Sequence, residues 1–186
     1  QVFVAEGHKL VGDLLGHFPC KLLIATSNWL KANHSVTANE IIEVTQEELS
    51  RASLQKTPQE VLAVFVQPSY DLNPEVIKSS LCLALDDVQD PGNLGTIIRL
   101  ADWFGIEHLF CSVGTADVYN PKTVQATMGA LARVKVHYCS LPQLIGGLTD
   151  TPVYGTFLNG NIIYAEPLSA HGLMSWEMKE KELVLK

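Results

Sequence analysis

What this sequence lacks narrows its possibilities before any motif is read. No apolar run approaches the roughly 20 residues that a membrane-spanning helix needs, and no signal-peptide pattern opens it. It starts at Gln1, directly before the strand-like Val2–Ala5, so residues ahead of it are expected. There are only four cysteines, Cys20, Cys82, Cys111 and Cys139, widely spaced and in no CxxC pair. Reduced thiols beside Leu, Phe and Tyr fit a cytoplasmic protein, not a disulfide framework. The six histidines show no ligand spacing, so no metal is expected. No repeat or low-complexity tract stands out, and no glycine follows Gly172. A net charge of −7 excludes a surface coated in basic patches, although a local basic site can act within an acidic whole.

What remains is the composition of a soluble globular chain, 47% hydrophobic and 18% charged over 186 residues. The runs "VFVAEG", "LLIAT", "EIIEV" and "VLAVFV" read as strands. Helical character follows the first of them over His8–Leu15, and Thr45-Gln46-Glu47-Glu48 fits a capping box. After Val66 the pattern stops. "QPSYDLNPEVIKSS" carries Pro68 and Pro74 with no long apolar period, and reads as a linker. A second alternation follows: "LCLALDD", a helix after "PGN", "HLFCS", the helix "PKTVQATMGALA", "VKVHY", a helix from Leu141 to Leu148, and "PVYGTF". Strands separated by helices predict an α/β fold with a mostly parallel sheet covered on both faces. The division expected is a small α/β domain over 1–68, a linker over 69–80 and a larger α/β domain over 81–186.

The most informative stretch is Leu85–Gly105, "LDDVQDPGNLGTIIRLADWFG". A buried strand ends in carboxylates, a Pro-Gly turn follows, and a helix is expected to begin near Asn93. Leu94, Ile97, Ile98 and Ala101 lie at i, i+3, i+4 and i+7 and form its buried stripe. At about 100° per residue, Arg99 points roughly 150° away from that stripe. It is thereby placed to reach a ligand at the carboxyl ends of the strands, where open α/β sheets bind theirs. On residue pattern alone, Arg99 as a solvated side chain and Asn93 as a helix cap remain open readings. A nucleotide-dependent oxidoreductase rests only on the alternation, because "GNLG" is not the GxGxxG fingerprint.

"VQDPGNLGTIIRLADWFG" resembles the first signature motif of the SpoU/TrmH family of RNA ribose 2′-O-methyltransferases, with Asn93, Arg99, Ala101 and Gly105 in register. "NPKTVQATMGALARVKV" resembles the family's next stretch, where Lys122, Thr127, Met128, Gly129 and Ala130 fit. "VYGTFLNGNIIYAE" resembles the strand and turn that lead towards the cofactor, and residues 2–66 look like the small substrate-binding domain. The resemblance implies methyl transfer from S-adenosylmethionine to a ribose 2′-OH of tRNA or rRNA. It also implies a catalytic domain that ties a trefoil knot, an exception to the rule that chains do not thread loops, and pairing into a homodimer through that domain. It gives Arg99 the part of activating the hydroxyl. A guanidinium is a poor base, so gripping the adjacent phosphate and stabilising a developing alkoxide suits it better. Asn93 then orients Arg99 or the ribose. Thr156, Leu158, Asn159 and Gly160 match positions that border the adenosine. Glu6, His8, Lys9 and Lys122 are the candidate RNA contacts, since phosphates attract Lys. A polar helix start is the alternative for the first three. Trp29 and Trp103 read as packing residues.

The family pattern continues past Leu173 with a Gly-Asn-Glu-Gly turn and a Ser-Leu-Asn segment, and neither is present. A family-like Ile-Val-Met-Gly-Asn-Glu-Gly-Lys-Gly-Ile-Ser, read with one base deleted from its first codon, yields Met-Ser-Trp-Glu-Met-Lys-Glu-Lys-Glu-Leu-Val. That is residues 174–184 as they stand. The tail 174–186 therefore reads as an out-of-frame cofactor motif. The expectations are a sheet that lacks a strand, a knot left incomplete, a Glu/Lys-rich tail able to form a helix, and weak cofactor binding. A non-catalytic RNA-binding protein is the second functional reading.

Overall fold

The computed structural model describes residues 1–155 and 168–177. The chain divides into two compact units. One gathers Gln1–Ser69, Pro91–Arg99 and Asp117–Arg133; the other gathers Tyr70–Asp90, Leu100–Ala116 and Val134–Lys186.

The first unit is built on a four-stranded sheet of order β1-β4-β2-β3. Its strands are β1 (Val2–Glu6), β2 (Cys20–Thr26), β3 (Glu40–Val44) and β4 (Val61–Val66). β4 runs antiparallel to both β1 and β2, while β3 pairs parallel with β2. The alternation of "VFVAE" puts Phe3 and Ala5 at 2% exposure, and Phe3 stacks on Phe65 with centroids 5.5 Å apart. Three short helices connect these strands: α1 (His8–Leu14), α2 (Ser27–Ala32) and α3 (Gln46–Ala52). α3 starts at the expected capping box, where the Thr45 side chain accepts from the Glu48 backbone N–H and the Glu48 carboxylate accepts from the Thr45 backbone N–H. Trp29 is buried, as expected.

The second unit holds a five-stranded sheet of order β7-β6-β5-β9-β8, in which every pair is parallel. The strands are β5 (Leu81–Asp86), β6 (His108–Cys111), β7 (Lys135–Tyr138), β8 (Val153–Gly155) and β9 (Gly172–Glu177). Ile77, Cys82, Ala84, Phe110, Leu141, Leu144 and Leu173 form one apolar cluster. Ile77 sits on a short 3-10 turn, Pro74–Lys78, inside the stretch that reads as a linker.

β9 corrects the expectation for the first residues of the tail, 174–177; residues 178–186 lie outside the described residues. The residues of β9 are extended, not helical, and the sheet does not lose a strand there: β9 lies between β5 and β8 and pairs with both. The physical reason is the slot itself. Leu173 and Ser175 alternate into the buried face while Trp176 stands exposed, so a period of two fits. Val153 packs against the apolar cluster.

Helix α4 (Pro91–Trp103) begins two residues before the expected Asn93, because Pro at the first helical position forfeits no internal hydrogen bond. Asn93 is thus in the first turn and is not the cap. Leu94, Ile98 and Ala101 are buried to 1% exposure or less, whereas Arg99 is exposed, as the helical arithmetic predicts. Trp103 is a correction. At 83% exposure it stands largely in solvent and is not a core residue, since it closes the helix on the side away from the stripe. Helix α5 (Pro121–Thr127) ends earlier than the sequence suggests, at two left-handed residues, Met128 and Gly129, followed by a 3-10 turn over Ala130–Ala132. Helix α6 (Leu141–Gly146) completes the described elements.

Candidate active site

Within the first unit a cavity of about 700 Å³ opens beside α4 and α5. Gly92, Thr96 and Arg99 contribute one wall, and their spacing of i, i+4 and i+7 puts them on a single helical face. Asn120, Lys122 and Met128 contribute the wall opposite in sequence, from the two ends of α5. β1 supplies Glu6, and the loop after α3 supplies Leu54 and Gln55.

The two helices can approach because position 95 carries no side chain. A Cβ on Gly95 would sit 2.5 Å from the Ala126 Cβ and 2.7 Å from the Thr123 carbonyl oxygen. The second glycine of "PGNLG" is therefore a packing glycine, not a phosphate-binding one. At the start of α5 the Asn120 side-chain oxygen accepts from the Lys122 backbone N–H at 2.9 Å, and Pro121 occupies the first turn. This cap fixes where the Lys122 stem leaves the helix.

The other end of α5 holds a strained residue. Met128 has φ 49°, left-handed backbone that a side chain with a Cβ seldom adopts, and Gly129 follows at φ 93°. The turn sets the Met128 thioether against α4, where Sδ accepts from Arg99 Nη1 at 2.9 Å. A thioether is a weak acceptor. The guanidinium is held in the cavity wall by a bond it can readily exchange.

Glu6 is 5% exposed, and its carboxylate points inward along its own unit. Oε1 accepts from the Leu54 backbone N–H at 2.9 Å, and Oε2 accepts from the Ser53 hydroxyl. Glu6, expected as an RNA contact, thus lines the cavity with both carboxylate oxygens hydrogen-bonded to the loop. His8 and Lys9 are exposed but stand outside the cavity lining; His8 Nε2 lies 3.9 Å from Glu60 Oε2. Asn93 also falls outside the lining, because it is about 100° around the helix from Gly92. Arg99, Lys122 and Glu6 are the three candidates that the cavity brings together. Thr156, Leu158, Asn159 and Gly160 lie outside the described residues. Reading the sequence missed Glu6 as a loop anchor, Gly95 as a packing point and Met128 as the partner of Arg99. Only Gly95, a glycine inside a helical period, left a signal.

Among the described residues no group of three or more His, Cys, Asp or Glu is arranged to hold a metal ion, and no helix is long and apolar enough to cross a membrane.

Residues 80–184 match the SpoU rRNA Methylase family, and residues 1–63 match the MRM3-like substrate binding domain. The chain belongs to the SpoU rRNA methylase family. It is 34% identical over 170 residues to the 23S rRNA (guanosine(2553)-2′-O)-methyltransferase RlmP of Bacillus subtilis, covering 89% of this chain and 66% of that protein. It is 30% identical over 140 residues to the human mitochondrial rRNA methyltransferase 3, covering 70% of this chain and 33% of that one. The chain thus spans less than two thirds of the length of either relative. A TrmH-family protein from Porphyromonas gingivalis is similar in structure, with TM-score 0.79 at 39% identity over 95% of this chain and 72% of that one. AviRb from Streptomyces viridochromogenes, solved in complex with AdoMet, is similar at TM-score 0.79 and 25% identity, over 95% of this chain and 73% of that one.

Proposed function

We propose that this protein is an RNA ribose 2′-O-methyltransferase that uses S-adenosylmethionine, and that the cavity beside α4 holds the ribose–phosphate to be modified. One observation carries the reading: Arg99 and Lys122, which reach the wall from different helices, line the same 700 Å³ space. Two cations around one hollow suit a phosphodiester, whose neighbouring ribose then lies within reach of the guanidinium.

Bound cofactor supplies an already activated methyl group. The chain's own residues have the tasks of alignment and charge. Lys122, fixed by the Asn120 cap, holds a phosphate. Arg99 exchanges Met128 Sδ for the phosphate or the 2′-oxygen, and stabilises negative charge as that oxygen gives its proton to solvent water. Thr156, Leu158, Asn159 and Gly160, with Asn93 orienting Arg99 or the ribose, complete this proposal. His8 and Lys9 extend the RNA-contacting surface.

The described residues fit the cofactor only in part. β8 and β9 supply parallel strand ends, yet the residues that follow Leu173 are Met-Ser-Trp-Glu, and Glu177 falls where the family-like pattern begins its glycine turn. We infer that residues 174–186 are an out-of-frame reading and that this tail weakens cofactor binding. Gene resequencing across the Leu173 codon and an intact mass test this. An in-frame gene with no Gly-Asn-Glu-Gly in the alternative frame refutes it. In the division proposed, residues 1–68 bind RNA, 69–80 link, and 81–186 carry the transfer.

A homodimer through the second domain is proposed too. Leu100, Trp103 and Phe104 stand 50%, 83% and 73% exposed at the end of α4, an apolar surface suited to burial against a second copy. Sedimentation of the purified chain tests it. The four unpaired cysteines agree with a reducing, cytoplasmic setting.

The experiment for the main reading is transfer of a labelled methyl group from S-adenosylmethionine to ribosomal RNA, by this chain and by a frame-corrected one. Transfer by the corrected chain alone supports the reading. RNA binding without transfer by either favours the second reading, a non-catalytic RNA-binding protein.

A further inference from the structure

We propose that the loop Ser53–Gln55, pinned by the buried Glu6, reads the base of the nucleotide whose backbone Arg99 and Lys122 hold; this rests on the RNA reading above. The pin consists of three consecutive hydrogen bonds. The Ser53 hydroxyl donates to Glu6 Oε2, the Leu54 N–H donates to Glu6 Oε1 at 2.9 Å, and the Gln55 N–H donates to Ser53 Oγ at 3.0 Å. A carboxylate at 5% exposure must be hydrogen-bonded to be tolerated, and here the Ser53 hydroxyl and the Leu54 N–H of this loop do so. The acid on β1 thereby fixes the backbone of three residues about 48 positions away.

That arrangement has a consequence at the cavity. Leu54 is 65% exposed, yet its backbone is held still, and it lines the same space as Gln55, Arg99 and Lys122. A lone exposed leucine means nothing. An exposed leucine anchored by a buried carboxylate, beside an amide and across from two cations, has a division of labour. Cations take the phosphate, which carries no sequence information, and the loop meets what the phosphate presents. RNA is read through unstacked bases, by contact with their faces and hydrogen bonds to their edges. Leu54 supplies an apolar face for the ring, and the Gln55 amide, with one acceptor and two donors, supplies the edge contact.

The test measures the affinity of fluorescein-labelled RNA octamers of A, C and U by anisotropy, for the parent and for Leu54→Ala, Gln55→Ala, Ser53→Ala and Lys122→Ala. The parent is expected to favour one octamer. Gln55→Ala loses that preference, with its best octamer weakened about fivefold. Ser53→Ala removes the pin while leaving both lining side chains, and it loses the preference as well. Leu54→Ala weakens all three octamers, and Lys122→Ala weakens all three while keeping their order. Circular dichroism checks that each variant is folded. A parent without preference overturns the proposal. So does an unchanged preference in Gln55→Ala and Ser53→Ala, and if Lys122→Ala still weakens binding, the RNA reading survives alone. A parent that binds no octamer removes both.

Discussion

Arg99 Nη1 donates to Met128 Sδ across 2.9 Å, which ties the one guanidinium in the cavity wall to a residue held in left-handed backbone. The pairing links conformational strain on α5 to the placement of a cation on α4. It yields a prediction with two arms. Arg99→Ala loses charge-assisted hydrogen bonds worth about 1.5–3 kcal/mol, so RNA affinity falls tenfold or more. Met128→Leu keeps the volume but removes the competing acceptor, and its affinity is no weaker than the parent's. Anisotropy with a labelled RNA octamer reads both. Weakening in Met128→Leu as large as in Arg99→Ala would make the thioether part of the site itself.

Gly95 sets the spacing of α4 and α5, and the sign of its substitution separates two effects. In a helix interior, Gly→Ala alone stabilises by about 0.5–1 kcal/mol. Here the added Cβ would lie 2.5 Å from the Ala126 Cβ and 2.7 Å from a carbonyl oxygen, both on the neighbouring helix. Overpacking of this kind costs about 1–3 kcal/mol, so Gly95→Ala is expected to be net destabilising. A urea midpoint that falls confirms the contact; one that rises shows the helices can part freely.

The strand alternation, the capping box at Thr45 and the outward direction of Arg99 were legible in the sequence because each is a local matter, set by periodicity or by a side chain three residues away. β9 was not. "GLMSWE" carries no run of β-branched residues and leads into charged, helix-prone sequence, and it becomes a strand because a slot between β5 and β8 accepts it. The use of Glu6 was hidden for a similar reason: its partners are 47 and 48 residues away, and no pattern in "VAEGHK" points to them. Arg99 and Lys122 were each readable, but their meeting at one cavity depends on a glycine that lets two helices touch.

Leu173 tests β9 by packing. Its side chain is fully buried in the apolar cluster with Ile77, Phe110 and Leu144. Leu173→Ala is expected to destabilise by about 2–5 kcal/mol, the usual range for emptying a core leucine site. A denaturant midpoint indistinguishable from the parent's would mean that this strand does not hold the core together.

The stacked pair His108 and His137, with Nδ1 and Nε2 3.1 Å apart, predicts a dependence on pH. Burial holds both imidazoles below their ordinary value; Lys135 adds to the lowering at both, and Glu107 opposes it at His108. The unfolded chain then binds more protons than the folded one just below the ordinary value of about 6.5. Stability is therefore fully present above that pH and is lost as pH falls through the folded values. Urea midpoints should be flat above pH 7 and decline below about 6.5, and His108→Gln should make the decline shallower. An equal slope in the variant would place the titration elsewhere.

The most direct test of the central claim is the rate of methyl transfer from labelled S-adenosylmethionine to ribosomal RNA, by a frame-corrected chain and by its Arg99→Ala variant, with cofactor binding measured beside it by calorimetry. The account predicts transfer by the corrected chain, loss of about a hundredfold or more on removing the guanidinium, and cofactor affinity nearly unchanged. Transfer at the parent rate by the Arg99→Ala variant would contradict it.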